Sequence, residues 1–243
     1  MSSLTQPINS YFYQSRGILY SYLFALPLLV LYEILIRISQ PDQEYIVRIS
    51  VDIWFSLLFT LFGLDAFSFT FLIAAIAGAI IVYNKRSQLR DLKIRYFGWM
   101  LVECLIYAIV LAMVINILIG WTFNLSVAGT LNELSKLQLF ALSLGAGLYE
   151  ELFFRVILVS VLFYIFNKIF QGKNSSYFLA VIIAALIFSG VHYVGEFGDI
   201  WSLRSFIFRF MFGLGLNLIY VKRGFGCAAW THALYDIIVV LGR

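Results

Sequence analysis

Charge is scarce in this chain: 12% of its 243 residues are Asp, Glu, Lys or Arg, while 62% are hydrophobic. A water-soluble domain cannot hide that much apolar surface in its core, so the soluble classes are excluded. Cysteine is almost missing. Cys104 and Cys227 both lie inside apolar runs, which excludes a disulfide framework and a cysteine-rich metal site. Short alternating segments separated by turns are also absent, and with them a transmembrane β-barrel. There is no polar linker, low-complexity stretch or clear internal repeat. The first apolar run lacks a small-residue cleavage site and is too long for a typical signal-peptide core, so it is expected to stay as a helix of the protein. The net charge of +4 is modest and belongs to loops, where it carries topology information and no nucleic-acid footprint.

What remains is a mean hydropathy of +0.92 in continuous runs about as long as a bilayer requires. The fold class is therefore all-α: a polytopic transmembrane bundle in a lipid bilayer. Windows of about 20 residues predict seven helices, over 18–36, 66–83, 97–119, 137–166, 177–193, 203–221 and 226–241. An eighth element at 51–64, "VDIWFSLLFTLFGL", is short and carries Asp52; it reads equally as a spanning, re-entrant or interfacial helix. Basic residues cluster in alternate loops: "KRSQLRDLKIR" at 85–95, Lys168 with Lys173, and Lys222 with Arg223, whereas the loop at 194–202 carries Glu196 and Asp199. The positive-inside rule puts the three basic loops in the cytoplasm. The 137–166 segment then runs from outside inward, and "SLGAG" at 143–147 is the expected place for it to break. Glu150 and Glu151 would begin the second half, where a helix N-terminus favours negative charge.

Charge at the centre of such a run costs at least a few kcal/mol and demands a reason. Glu151 and Arg155 are four residues apart and can pair on one helix face, while Glu150 points about 100° away and has no local partner. The chain has only two histidines, both in apolar helical runs. His192 closes "FSGVH", one turn after Phe188; His232 opens "HALYD", one turn before Asp236. Counted along the helices from the basic face, Glu150 lies at about 24 Å and His192 at about 25 Å, so the two can be neighbours. Arg209 comes out at about 18 Å and Asp236 at about 15 Å, but His232 at only about 10 Å, unless the "RGFG" turn at 223–226 is irregular and the helix sits further in. Glu33 with Arg37, Asp52, Asp65 and Glu103 lie near helix ends and read as interfacial. Phe and Tyr are lipid-facing and belt material, and "LGAGL" serves equally well as a packing site.

The triple "EELFFR", "FSGVH" and "HALYD", in this order on successive apolar helices, resembles the CPBP family of intramembrane proteases, with its EExxxR, FxxxH and HxxxN or HxxxD patterns. That family includes the type II CAAX prenyl proteases and bacterial Abi-type, bacteriocin-processing relatives. The resemblance covers residues 137–243, the protease core, whereas the membrane helices of 1–136 carry no family signal; together they form one integral membrane domain. It implies endopeptidase hydrolysis of a membrane-associated protein or peptide, a C-terminal tail or a maturation site, without a cofactor. It also implies roles. Glu150 would be the general base and His192 would help hold the water; His232 and Asp236 would line the oxyanion side; Glu151 and Arg155 would fix the helix. Arg209 is a candidate substrate contact, or snorkels toward the acidic loop. The expected location is the bacterial cytoplasmic membrane, as a multi-pass protein.

The chemistry is sensible, since a dry pocket strengthens hydrogen bonds to a developing oxyanion. Asp236 is a departure, because an asparagine amide can donate to an oxyanion and an ionised aspartate cannot; it would then orient His232 instead. Three other readings stand beside this one. Glu150, His192 and His232 are a plausible catalytic zinc set, though without HExxH spacing. Membrane carboxylates and histidines also form proton relays in transporters. Lastly, a protease-like scaffold could bind a partner without cleaving it.

Overall fold

The computed structural model describes residues 5–41, 46–63, 66–119, 134–195 and 198–241; Asp65 and Glu196 lie outside them. Among the described residues the chain is all helical: α1 (Thr5–Ser15), α2 (Ile18–Ile38), α3 (Ser50–Leu61), α4 (Ala66–Asn84), α5 (Ile94–Ile119), α6 (Lys136–Gly145), α7 (Val159–Phe170), α8 (Lys173–Val191), α9 (Leu203–Arg223) and α10 (Phe225–Leu241). A short 3-10 turn spans Arg86–Asp91.

Five helical stretches are long and apolar enough to cross a membrane: Ile18–Ile38, Ile94–Ile119, Lys136–Phe170, Lys173–Val191 and Leu203–Arg223. Those expected over 66–83 and 226–241 also form, as shorter apolar helices. The element at 51–64 becomes a 12-residue helix, about 18 Å long and so well short of a hydrocarbon core of about 30 Å. One helix was not foreseen. α1 precedes the first apolar run and is pinned to the bundle by polar contacts: Tyr11 donates to Glu103 Oε2 at 2.5 Å, and Arg223 donates to the Phe12 carbonyl at 3.2 Å and to Ser15 Oγ at 2.8 Å.

At the centre stands α10, packed against α2, α5, α6 and α9. Small residues permit that: Cys227, Ala228, Ala229 and Ala233 are fully buried, and small side chains let membrane helices approach closely. One close approach is at Gly147, where a Cβ would run into the Ala229 carbonyl and Ala233.

The chain does not break at "SLGAG". Residues 136–170 are one continuous helical stretch whose middle, Ala146–Glu150 and Leu152–Leu158, is wound as π-helix. The glycines serve close packing, and Glu150 and Glu151 sit at no helix N-terminus.

Two buried ionic networks hold the charges expected near helix ends. Glu33 is 2% exposed and pairs with Arg37 at 2.7 Å and Arg48 at 3.1 Å; Arg48 also pairs with Asp52 at 2.7 Å. Tyr32 donates to Asp52 at 2.6 Å and Tyr149 to Glu33 at 3.1 Å, tying α3 and the π turn to α2. Glu103 accepts from Arg223 at 2.6 Å and Tyr107 at 2.5 Å. Arg223 is therefore buried beneath α1. α9 ends at Gly224, whose φ of +85° suits glycine, and α10 starts inside the protein. His232 consequently sits deeper than counting residues from a surface loop indicates.

Candidate active site

Glu150 closes the first π turn and Glu151 lies between the two. π turns are rare and often found at functional sites. Here the i→i+5 winding spreads two adjacent carboxylates into different surroundings.

Glu151 is completely buried. Its Oε1 lies 2.9 Å from Arg155 Nη1 and accepts from His232 Nδ1 at 2.8 Å. Arg155, 1% exposed, also reaches the Gly213 carbonyl at 3.5 Å and has its guanidinium 4.6 Å from the centre of the Phe188 ring. A cation over an aromatic face inside a dry bundle is worth about 2 kcal/mol. Phe188 is the platform of the site. Its ring stands edge-on to His192 at 5.0 Å and to His232 at 5.9 Å between centroids, and against Phe154 at 5.1 Å. The FxxxH spacing brought Phe188 into view only as His192's neighbour; its contact with Arg155 crosses helices, and no periodicity reports it.

Both histidines are oriented by their second nitrogen. His192 is the residue that caps α8, and its Nδ1 meets the Phe188 carbonyl at 2.8 Å. A carbonyl only accepts, so Nδ1 carries the hydrogen and Nε2 faces the site. The helix thereby satisfies one of its orphan terminal carbonyls. His232 Nδ1 likewise donates to Glu151, and its Nε2 also faces inward, 3.6 Å from Asp236 Oδ2.

These elements converge on Glu150. Its Oε2 is buried without a hydrogen-bond partner and lies 3.9 Å from His192 Nε2 and 3.9 Å from His232 Nε2. Four residues from three helical stretches, Glu150, His192, His232 and Asp236, thus surround one point, with Glu151 and Arg155 behind them. Arg209 is already engaged by other partners. It pairs with Asp199 and donates to Tyr193 Oη at 3.0 Å and Ser205 Oγ at 2.5 Å, so its guanidinium is engaged by the α8–α9 loop. Among the described residues, no group of three or more His, Cys, Asp or Glu side chains is arranged to hold a metal ion.

Sequence reasoning missed Tyr149. It precedes Glu150, packs edge-on against Tyr32 at 5.5 Å and is held by Glu33. Its signal is faint, a tyrosine within an apolar run.

Residues 132–238 match the family model of the type II CAAX prenyl endopeptidases described as Rce1-like. No curated protein and no solved structure matches the chain.

Proposed function

We propose, from the match of residues 132–238 to the Rce1-like family model, that the protein is an intramembrane endopeptidase cleaving a membrane-associated protein or peptide with a glutamate-activated water. The observation that carries this reading is the unpartnered Glu150 Oε2 facing two imidazole Nε2 atoms at 3.9 Å each. Such a separation is too long for direct hydrogen bonds and suits a shared water. In the reaction, Glu150 takes a proton from that water, whose oxygen attacks the scissile carbonyl carbon, and His192 Nε2 accepts the water's second hydrogen bond. A doubly protonated His232, held by Glu151, supplies the Nε2–H that the oxyanion needs. Asp236, an acceptor, orients that N–H. Collapse of the tetrahedral intermediate breaks the C–N bond, and Glu150 returns its proton to the leaving amine. The test is mass spectrometry of membrane proteins from cells with the active chain and from cells with an inactive variant. A single C-terminal or juxtamembrane cleavage confined to the active cells is expected; identical peptide maps would refute the proposal.

No metal takes part in this scheme. Protein stripped with EDTA or phenanthroline is expected to cleave at the untreated rate. Loss of activity, restored by one equivalent of zinc, would instead assign Glu150, His192 and His232 as zinc ligands.

The site is proposed to open opposite the basic loops, in a bacterial cytoplasmic membrane. Supporting this, the Lys93 amide donates to Tyr20 Oη at 2.8 Å and Arg223 donates to the Phe12 carbonyl near the end of α1 at 3.2 Å, which gathers two of the basic segments on one face. Single cysteines at Ser87 and Ile200, in a background lacking Cys104 and Cys227, check it with an impermeant thiol reagent on intact cells. Labelling is expected at Ile200 only. Labelling at Ser87 only would return the opening to the cytosol and favour substrates of the kind named for the CAAX prenyl endopeptidases.

A further inference from the structure

A cavity of about 1600 Å³ lies on the far side of the helix that carries the glutamates. Its walls are apolar along most of their height. α2 contributes Ile18 to Leu29, and α4 contributes Thr70 to Ile81. The wall facing them is Leu148, Tyr149, Leu152 and Val156, which line the face of the π-helical stretch turned away from the active site. None of Glu150, Glu151, Arg155, His192, His232 or Asp236 lines it, so it is distinct from the cleavage site.

Its shape is that of one leaflet. Ile18 to Leu29 and Thr70 to Ile81 each span eleven residue steps, about 17 Å, against about 15 Å for half of a hydrocarbon core of about 30 Å. The end on the basic face is polar, lined by Gln14, Arg16, Gln88, Asp91 and Lys222. Arg16 and Lys222 are exposed there and form no ion pair among the described residues. With Asp91 the local balance is one positive charge.

We infer that this cavity binds one phospholipid with an anionic head group, its acyl chains between α2, α4 and the π-helical stretch and its phosphate beside Arg16 and Lys222. Inside a bilayer an apolar volume of this size fills with acyl chain, because water finds no hydrogen-bond partners on such walls. Basic residues between membrane helices on the cytoplasmic side are suited to lipid head groups. The chemistry of the two ends therefore selects a lipid over a peptide or a second copy of the chain. A lipid seated here would touch Tyr149, one residue before the proposed base, but its binding does not depend on peptide cleavage.

Native mass spectrometry of delipidated full-length protein tests this, with titration by phosphatidylglycerol or by phosphatidylcholine carrying the same chains. One saturable adduct is expected, filled at about tenfold lower concentration of the anionic lipid. Arg16→Gln with Lys222→Gln, both exposed and so harmless to folding, is expected to erase that preference. Ala77→Trp, which projects a ring into the apolar part, is expected to remove the saturable adduct for both lipids. An unsaturated ladder of adducts equal for the two lipids would overturn the inference. So would a saturable adduct insensitive to all three substitutions, or a dimer whose formation excludes lipid.

Discussion

Glu150→Gln is expected to reduce cleavage by about 10²–10⁴-fold, the usual weight of a positioned general base, while leaving the fold intact. The substitution keeps the shape and removes only the proton acceptor. It costs little in structure because Glu150 Oε2 has no hydrogen-bond partner to lose, and an uncompensated buried carboxylate is itself unfavourable. Purified variant and wild type should therefore melt together in the same detergent, while the rate on a membrane-embedded peptide falls to background. If Glu150→Gln cleaved at the wild-type rate, the base would have to be another group. Lost activity together with a lower melting temperature would place Glu150 among the structural charges.

The carboxylate beside it should behave in the opposite way. Arg155→Met removes the cation 2.9 Å from a completely buried carboxylate, and breaking such a pair typically costs about 3–5 kcal/mol. Glu151→Gln strands the guanidinium on the Phe188 ring and is expected to cost about the same. The double variant is the informative one. With both charges gone, neither is left uncompensated, and stability should recover most of the way to wild type, as seen when buried pairs are replaced whole. Reversible unfolding in mixed micelles would measure this. A double variant destabilised by the sum of the singles would mean that the two side chains stabilise the bundle independently. Cleavage should not recover with stability, because Glu151 Oε1 also orients His232 and a neutral amide holds an imidazolium less firmly.

How much of this was legible depended on whether an interaction runs along one helix or between helices. Glu151 with Arg155 is an i,i+4 pair and could be read directly, as could the isolation of Glu150. The nearness of Glu150 and His192 was also readable, because both are counted from adjoining basic loops, although the π winding between Glu150 and its loop lies outside that count. His232 was misplaced by the same arithmetic, since the arithmetic assumes that a basic turn marks the membrane surface. Arg223 breaks that assumption through Glu103 and Ser15, partners 120 and 208 residues away. Glu33 and Glu103 read as interfacial for a related reason, since Arg48 and Arg223 reach them from 15 and 120 residues away, whereas Arg48 is only four residues from Asp52 but precedes the helix that carries it. The π winding was invisible because glycine near the middle of an apolar run predicts a break and a tight contact equally well, and Ala229 and Ala233 on α10 decide between them.

Tyr149 and Arg223 also bear on how such a chain can be inherited. The division between a motif-poor 1–136 and a motif-bearing 137–243 follows the alphabet, not the architecture. Grafting 137–243 behind an unrelated set of leading helices would strand the Tyr149 hydroxyl without Glu33 and the Arg223 guanidinium without Glu103 and Ser15. The leading helices can change almost any lipid-facing side chain, yet these few acceptors must travel with the core as one heritable block.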